Sequence, residues 1–286
     1  MSHRDEVTSK HPQGAYRFVT ATDSNPIYLG FIEPWIEHHK KLYPQSDVVV
    51  ILVNDTIPYY LENYKKYIKL WRPSQPLAEG TPSGGAKRQG HKGVPVSNLS
   101  TAYQAQMLRI LYPVLLDEKQ NILCDIDLFL LNDNLLNMFD SIGNHDTRCL
   151  NFGCLSKVEC INSKQLPFCY TILSKNLITE KCNISTEEDI KNLLEEEYIK
   201  DDSSRGYCWF TDQLFLYKKF MDYSHFVKID RYGGDRVDRD WFNPNCPTIR
   251  NAIYNKKIVD FHAPRPYEKY KSFIHATLDS CFSAPQ

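Results

Sequence analysis

Two aspartates separated by one residue, Asp125 and Asp127, are the feature of this sequence with the clearest chemical potential. They follow the apolar residues 122–124 and precede the apolar residues 128–131. In an extended strand, residues i and i+2 point to the same side, so we expect both carboxylates to face one site. Two such acids in apolar surroundings repel each other unless a cation compensates them. Mg²⁺ or Mn²⁺ prefers oxygen ligands and often binds substrate phosphates, so the pair predicts a clamp for a metal-bound diphosphate, and the alternative is a turn or capping pair.

The segments around this pair alternate between strand-like and helix-like patterns. Residues 16–21 and 47–54 are strand-like runs, and the second is apolar enough to be buried on both faces, as in parallel sheets. Residues 27–43 and 99–116 carry apolar residues at helical spacing. This alternation predicts a doubly wound sheet. Ligands bind such sheets at the carboxyl ends of the strands, which is where Asp23 would join the aspartate pair.

Composition limits the classes of partner and the cellular location. The 34 basic and 35 acidic residues nearly cancel, so charge gives no case for nucleic-acid binding. The nine cysteines show no CxxC spacing, the first residues are polar, and no apolar run approaches the ~18 residues of a membrane span. We therefore expect a soluble cytoplasmic protein with free thiols and without a transmembrane segment. The 18 tyrosines, 14 phenylalanines and 4 tryptophans mildly favour a sugar or nucleotide ligand over ordinary packing alone.

A longer block around the aspartate pair resembles a known family. Residues 101–133, TAYQAQMLRILYPVLLDEKQNILCDIDLFLLND, resemble the centre of GT-A-fold glycosyltransferases, especially the family 8 type. In that family a helix carrying an arginine, here Arg109, is followed by a Pro and Leu-Leu stretch and then by the strand that ends in Asp-x-Asp. The opening VTATDSNPIY, residues 19–28, is similar to the family's first strand and nucleotide loop. By this resemblance Ala21 and Asp23 lie where the base and ribose are held.

Two later segments extend the resemblance in the family's order. The segment WFTDQ, which ends in Asp212 and Gln213, is similar to the Asp-Gln element beside the transferred sugar. VDFHAPRPY, residues 259–267, resembles the strand that ends in a metal-binding histidine, here His262, with Arg265 in place of a phosphate-binding lysine. The spacing after His262 is shorter than in the family, and Leu-Phe-Leu-Tyr follows Gln213. These departures leave retention or inversion at the anomeric carbon open. A weaker likeness is to soluble enzymes encoded by large viruses.

The resemblance implies an α/β fold of the GT-A type, with a Rossmann-like, mostly parallel central sheet, helices on both faces and a smaller C-terminal acceptor-side region. Residues 1–15 are expected to be a disordered tail. Residues 16–286 would form a single domain, with a nucleotide-binding half over residues 16–135 and an acceptor-binding half over residues 136–286. The Gly- and Pro-rich residues 73–97, which include Lys87 and Lys92, are expected to form a long loop that could close over phosphates.

The resemblance also implies an activity, transfer of a sugar from a nucleotide-sugar, with UDP-sugar favoured, to a hydroxyl of a glycan or glycoprotein acceptor. Asp212 would be the base of an inverting enzyme, whereas in a retaining enzyme Asp212 and Gln213 would flank the sugar. The implied site is Asp125, Asp127 and His262 for Mn²⁺ or Mg²⁺, Ala21, Asp23, Arg109, Asp125 and Arg265 for the donor, and Asp212 and Gln213 for catalysis.

Two other functions are compatible with these features. A nucleotidyltransferase that makes nucleotide-sugars would share the architecture and the metal, but it usually carries a Gly-rich loop after the first strand, and residues 19–28 contain no glycine. A non-catalytic nucleotide- or carbohydrate-binding relative would bind the donor without turning it over. Single residues also have structural alternatives: His262 as a core histidine, Arg109 as a partner of a helix-face carboxylate, and Asp212 as a helix N-cap. Trp209 and Trp241 are core residues or an acceptor platform.

Overall fold

A seven-stranded sheet forms the centre of the molecule. The computed structural model describes residues 16–73, 99–142, 149–153, 155–198, 208–230, 235–239 and 247–282. Its strands are β1 (Tyr16–Asp23), β2 (Asp47–Val53), β3 (Ile68–Trp71), β4 (Gln120–Cys124), β6 (Cys149–Gly153), β7 (Tyr170–Ser174) and β8 (Phe226–Asp230). They lie in the order β3-β2-β1-β4-β7-β6-β8, and among the described strands of this sheet β7 alone runs antiparallel to its neighbours.

A second, three-stranded sheet lies at the carboxyl end of β4. Its strands are β5 (Leu128–Leu130), β9 (Arg236–Val237) and β10 (Asp260–His262), in the order β5-β10-β9. Strand β10 pairs antiparallel with β5, so that His262 lies opposite Leu128. Because β5 begins one residue after Asp127, this pairing brings the C-terminal segment after β10 next to the aspartate pair.

Helices cover both faces of the central sheet. They are α1 (Pro26–Leu29), α2 (Ile32–Leu42), α3 (Thr101–Leu111), α4 (Asn134–Ile142), α5 (Lys157–Ser163), α6 (Lys175–Cys182), α7 (Glu187–Glu196), α8 (Thr211–Phe220), α9 (Pro247–Tyr254) and α10 (Tyr267–Asp279). Side chains from α2, α4 and α10 pack on one face, and side chains from α3, α6, α7 and α8 pack on the other. Strand β1 serves both faces, since Phe18 joins the first cluster and Val19 joins the second.

The predicted fold class is confirmed, since the chain is an α/β protein with a mostly parallel central sheet between two helical layers. The strand and helix predicted over residues 47–54 and 99–116 are present as β2 and as α3 with a 3₁₀ turn at Tyr112–Leu115. The predicted tail over residues 1–15 and most of the predicted loop lie outside the described residues. Across the described ranges, no helix combines the length and apolar character needed to cross a membrane.

Two buried histidines in α2 make the fold sensitive to acid. His39 is fully buried among Phe18, Trp35 and Phe129, and its Nδ1 lies 2.8 Å from the carbonyl oxygen of Trp35. Burial lowers the pKa of His39 to about 3 and that of His38 to about 4. The folded state therefore keeps both rings neutral, whereas the unfolded chain takes up protons below pH 6.5. Stability falls as the pH drops through 6.5, by about 2 kcal/mol per histidine on reaching about pH 5.

We expect His39→Phe to remove about half of this acid sensitivity. Phenylalanine keeps the aromatic packing and cannot be protonated, so the free energy of unfolding should change less between pH 7 and pH 5. Urea unfolding at a series of pH values measures this change. The exposed His225→Gln is the control for replacing a histidine outside the core. A His39→Phe profile as steep as that of the unaltered protein would contradict the assignment.

Candidate active site

A pocket of about 200 Å³ lies at the carboxyl edge of β1 and β4. It is built by the end of β1 and the start of α1, by one face of α3, by the turn after β4, by the start of α8, and by single arginines after β9 and β10. The lining residues are Ala21, Thr22, Asp23, Asn25, Tyr28, Ala102, Ala105, Gln106, Arg109, Asp125, Ile126, Asp127, Trp209, Asp212, Gln213, Arg239 and Arg265. Of the sequence-predicted site residues, only His262 is absent from this lining, and it lies directly behind Asp127.

The aspartate pair occupies a turn and not an extended strand. Strand β4 ends at Cys124, and the main-chain nitrogen of Leu128 donates to the carbonyl oxygen of Asp125 at 3.2 Å, which closes a four-residue turn. The prediction that both aspartates belong to an extended strand, which would point their carboxylates to the same side, is therefore wrong. Both residues still line the same pocket, because the turn wraps around the buried side chain of Ile126.

Asp127 is a buried carboxylate surrounded by cationic groups. Its Oδ2 lies 3.3 Å from Nε of Arg265 and 3.6 Å from both a terminal nitrogen of Arg239 and Nε2 of His262. This oxygen is buried and accepts no hydrogen bond from the described residues. Burial raises the pKa of Asp127, against the opposing charge of His262 and Arg239. The charge of this oxygen is thus balanced by ion pairs and not by hydrogen bonds from the described residues.

His262 is held in place by acids on two sides. Its Nδ1 lies 3.3 Å from a carboxylate oxygen of Asp238, and its other ring nitrogen faces Asp127 and contacts Arg239. Burial alone would lower the pKa of His262, but the hydrogen bond to Asp238 and the charge of Asp127 raise it above its usual value. The same hydrogen bond lowers the pKa of Asp238 to about 2.

Arg109 links the two acidic parts of the pocket. One terminal nitrogen of its guanidinium group pairs with Asp125, and the other pairs with Asp212. The guanidinium carbon lies 3.7 Å from the centroid of the Phe168 ring, so the cation packs on the face of this ring. Burial opposes the charge of Arg109, but the two carboxylates raise its pKa. The turn after β4 and the start of α8 are therefore joined through one buried cation.

Asp212 is engaged through both of its carboxylate oxygens. Oδ2 accepts from Arg109, and Oδ1 accepts from the main-chain nitrogen of Gln213 at 2.9 Å. Burial raises the pKa of Asp212, although the charge of Arg109 opposes this. The side chain is not the N-cap of α8, since Phe210 holds that position and makes no side-chain cap hydrogen bond. The position of Asp212 instead belongs to the pocket.

Asp23 is fixed at the end of β1 by two donors. Its Oδ1 accepts from the main-chain nitrogen of Asn25 at 3.1 Å, and its Oδ2 accepts from the hydroxyl of Thr101 at 2.8 Å. Thr101 is the first residue of α3, so Asp23 links the first strand to the helix that carries Arg109. Ala21 lies two residues earlier on β1 and lines the same pocket with a small side chain.

The donor atoms around Asp127 suit a hard divalent cation, although they do not form a complete cage. The site offers carboxylate oxygens and an imidazole, and Oδ2 of Asp127 accepts no hydrogen bond from the described residues, although Arg239, Arg265 and His262 lie within ion-pair distance. Within the described ranges, no three acid, histidine or cysteine side chains are clustered closely enough to hold a metal by themselves. Mg²⁺ is commonly bound by one or two carboxylates together with substrate phosphates, so an incomplete protein set fits a metal that arrives with a nucleotide.

Several lining residues were not predicted from the sequence. Gln106 lies three residues before Arg109 on α3, so helical spacing could have identified it. No site role was predicted for Tyr28, although it ends the segment VTATDSNPIY. Its hydroxyl accepts from Arg265, whose guanidinium lies 4.9 Å from the ring centroid. Arg239 follows the two-residue strand β9. Lys87, Lys92 and Trp241 lie outside the described residues, whereas Trp209 lines the pocket.

The chain has weak structural similarity to known glycosyltransferases. The crystal structure of the galactosyltransferase LgtC with donor and acceptor sugar analogs matches with 10% identity, 94% of this chain and 98% of that chain covered, and a TM-score of 0.45. GlyE, a glycosyltransferase of Streptococcus pneumoniae TIGR4, matches with 9% identity, 93% and 61% coverage, and a TM-score of 0.47. TarS of S. aureus matches with 12% identity, 95% and 66% coverage, and a TM-score of 0.42.

No family model matches the sequence, and no curated protein is significantly similar to it. At these identities and TM-scores, the similarities to solved structures establish no activity for this chain. Its function has to be inferred from the pocket itself.

Proposed function

We propose that this protein is a metal-dependent glycosyltransferase that transfers a sugar from a nucleotide-sugar, a UDP-sugar in the first instance, to a hydroxyl of a glycan or glycoprotein acceptor. One observation carries the proposal: segments from six parts of the chain, between Ala21 and Arg265, meet in one pocket. That pocket combines four carboxylates with three guanidinium groups and with polar side chains that can bind a sugar. The carboxylates are those of Asp23, Asp125, Asp127 and Asp212. A nucleotide diphosphate joined to a sugar needs this combination.

The nucleotide end of the donor is assigned to the end of β1. Asp23 presents a carboxylate that is already oriented by Asn25 and Thr101, which suits a hydrogen bond from ribose hydroxyls. Ala21 leaves room for a planar base beside the strand. Arg265 and Arg239 also line the pocket, where their guanidinium groups can donate to the diphosphate. These donors also stabilise the charge that develops on the departing nucleoside diphosphate.

The diphosphate is assigned to the aspartate turn, with Mn²⁺ or Mg²⁺ held by Asp127, Asp125 and His262. When bound, such a cation acts as a Lewis acid for the leaving diphosphate. Asp127 offers a carboxylate oxygen that accepts no hydrogen bond from the described residues, and Asp238 orients the ring of His262. Arg109 holds Asp125 at the pocket wall through its paired contact. Arg239 and Arg265 balance the charge of Asp127, and we assign their guanidinium groups to the phosphates of the donor as well.

The sugar is assigned to Asp212 and Gln213 at the start of α8. During transfer, the bond between the anomeric carbon and the phosphate oxygen breaks, the acceptor oxygen bonds to that carbon, and its hydroxyl proton passes to the departing phosphate oxygen. Both oxygens of Asp212 are already hydrogen-bonded, so this carboxylate is better arranged to stabilise positive charge on the sugar than to accept the acceptor's proton. This arrangement favours the retaining course. Trp209 is assigned as a surface for the acceptor sugar.

A panel of donor hydrolysis assays tests this function. UDP- and GDP-sugars are each incubated with the protein in Mn²⁺ and in excess chelator, and release of the nucleoside diphosphate is measured. We expect one UDP-sugar to be hydrolysed in Mn²⁺ and the rate to fall at least about a hundredfold in chelator. Adding Mn²⁺ back after chelation should restore the rate, which controls for irreversible damage.

Other outcomes of the panel would support a different function or mechanism. Donor binding without turnover of any donor by folded protein would favour the non-catalytic binding relative. Formation of a nucleotide-sugar from a sugar 1-phosphate and a nucleoside triphosphate would favour the nucleotidyltransferase. Equal turnover in chelator and in Mn²⁺ would rule out the metal. The predicted cytoplasmic location stays a prediction.

A further inference from the structure

Two complementary atoms on α3 lack hydrogen-bond partners beside the pocket. Oε1 of Gln106 and Nε of Arg109 are both buried, and neither has a partner among the described residues. The two residues are one helical turn apart, and both line the pocket. Ala102 and Ala105, with small side chains, line it from the same helix. Buried polar atoms are rarely left unpaired, so this pair of atoms points to a missing ligand group.

The orientation of the Gln106 amide is fixed by a second contact. Its Nε2 donates to the main-chain oxygen of Trp209 at 3.1 Å. A main-chain oxygen can only accept, so the amide nitrogen must face Trp209 and the amide oxygen must be the atom left free. The guanidinium of Arg109 is similarly fixed, because its terminal nitrogens pair with Asp125 and Asp212. Its Nε–H is the donor that makes no hydrogen bond with the described residues. Two residues that line the pocket thus carry one fixed acceptor and one fixed donor, one helical turn apart on α3.

The chemistry of this pair selects one class of group. A hydroxyl can accept from Nε–H of Arg109 and donate to Oε1 of Gln106 at the same time. A phosphate or carboxylate oxygen has no proton for Gln106, and an ammonium group cannot accept from Arg109. Besides a hydroxyl, a water molecule satisfies both atoms. Arg109 also contacts Asp212, so this position lies on the side of the pocket assigned to the sugar.

We propose that Gln106 is a specificity-determining residue, whose amide oxygen and the Nε–H of Arg109 together bind one hydroxyl of the donor sugar. The inference rests on the proposed glycosyltransferase function. It predicts that the enzyme distinguishes donors by the presence of a hydroxyl at one ring position, since a sugar without it leaves two buried polar atoms unpaired. It also predicts that this discrimination is lost when Gln106 is replaced by an apolar side chain of similar length.

Calorimetric binding of UDP, of UDP-glucose and UDP-galactose, and of their monodeoxy analogues in Mn²⁺ tests the proposal. We expect Gln106→Met to weaken binding of the preferred UDP-sugar about tenfold and to leave UDP binding within about twofold. For unaltered protein, removal of one particular hydroxyl should cost about the same factor. In Gln106→Met, the intact donor and that deoxy analogue should bind equally well, which is the pairwise coupling of a direct contact.

Gln104→Met is the matched control, because Gln104 lies on the same helix but makes its amide contacts with Trp71 and Leu99 outside the pocket lining. It should preserve the discrimination between intact and deoxy donors. If every deoxy analogue loses the same factor in Gln106→Met as in unaltered protein, the two atoms bind a structural water and the proposal is overturned. If unaltered protein binds no nucleotide-sugar at all, the proposed function itself fails and this inference falls with it.

Discussion

Asp127→Asn should reduce turnover of the preferred nucleotide-sugar about a thousandfold, equivalent to about 4 kcal/mol of transition-state stabilisation. Asparagine keeps the size of the side chain but replaces the buried anionic oxygen, which has no hydrogen-bond partner among the described residues, with a neutral amide. The charge that balances Arg239, Arg265 and His262 is removed at the same time. Steady-state release of nucleoside diphosphate in Mn²⁺ measures the effect, and thermal unfolding checks that the variant is folded.

Asp133→Asn is the control for this substitution. Asp133 lies six residues later, is partly exposed, and pairs with Lys256 at 3.5 Å away from the pocket lining. Its turnover should stay within about twofold of the unaltered protein, because exposed ion pairs contribute little. Turnover by Asp127→Asn at more than about a tenth of the normal rate would contradict the assignment of Asp127 to the diphosphate and its cation.

Arg109→Met should lower turnover about a hundredfold and destabilise the protein by about 3–5 kcal/mol. Methionine fills much of the space over Phe168 but leaves Asp125 and Asp212 without the cation that joins them. The negative charge left in the pocket would also oppose the donor phosphates. The turnover and stability of Arg109→Lys should lie between those of Arg109→Met and of the unaltered protein, because one ammonium group cannot reproduce the paired contacts of a guanidinium. Urea unfolding and donor turnover per folded molecule separate the two effects.

Arg17→Met supplies the matched control, since Arg17 is another buried arginine held by two acids. It contacts Asp47 and Asp117 at the amino end of the central sheet, opposite the pocket. Its loss should leave turnover per folded molecule unchanged. If Arg109→Met is destabilised but turns over donor at the normal rate per folded molecule, Arg109 has only a structural role.

The parts of the fold that depend on local pattern could be predicted from the sequence. The apolar run predicts β2, whose side chains pack on both faces of the sheet. The helical spacing predicts α3, whose side chains pack on one of these faces. From these elements the carboxyl edge follows, and with it the placement of Asp23 near Asp125 and Asp127. The capping box of α7 is also a local pattern, since the side chains of Thr186 and Asp189 cap the first turn of the helix.

The rest of the site depends on contacts between distant segments, which spacing alone does not encode. The pairing of β10 with β5 brings His262 and Arg265 to Asp127, although more than a hundred residues separate them along the chain. The turn geometry of residues 125–127 follows from a main-chain hydrogen bond that an extended-strand pattern does not anticipate. Arg239 was missed because its segment has no periodicity, and its position depends on the short strand β9 beside β10.

Crystallisation with UDP and Mn²⁺ tests the central claim most directly, that the aspartate turn binds a metal-bound diphosphate. We expect anomalous density for manganese beside Asp127, with His262 or Asp125 as a further ligand, and the uridine beside Asp23. Nucleotide bound elsewhere, or bound in this pocket with no manganese at Asp127, would contradict the account.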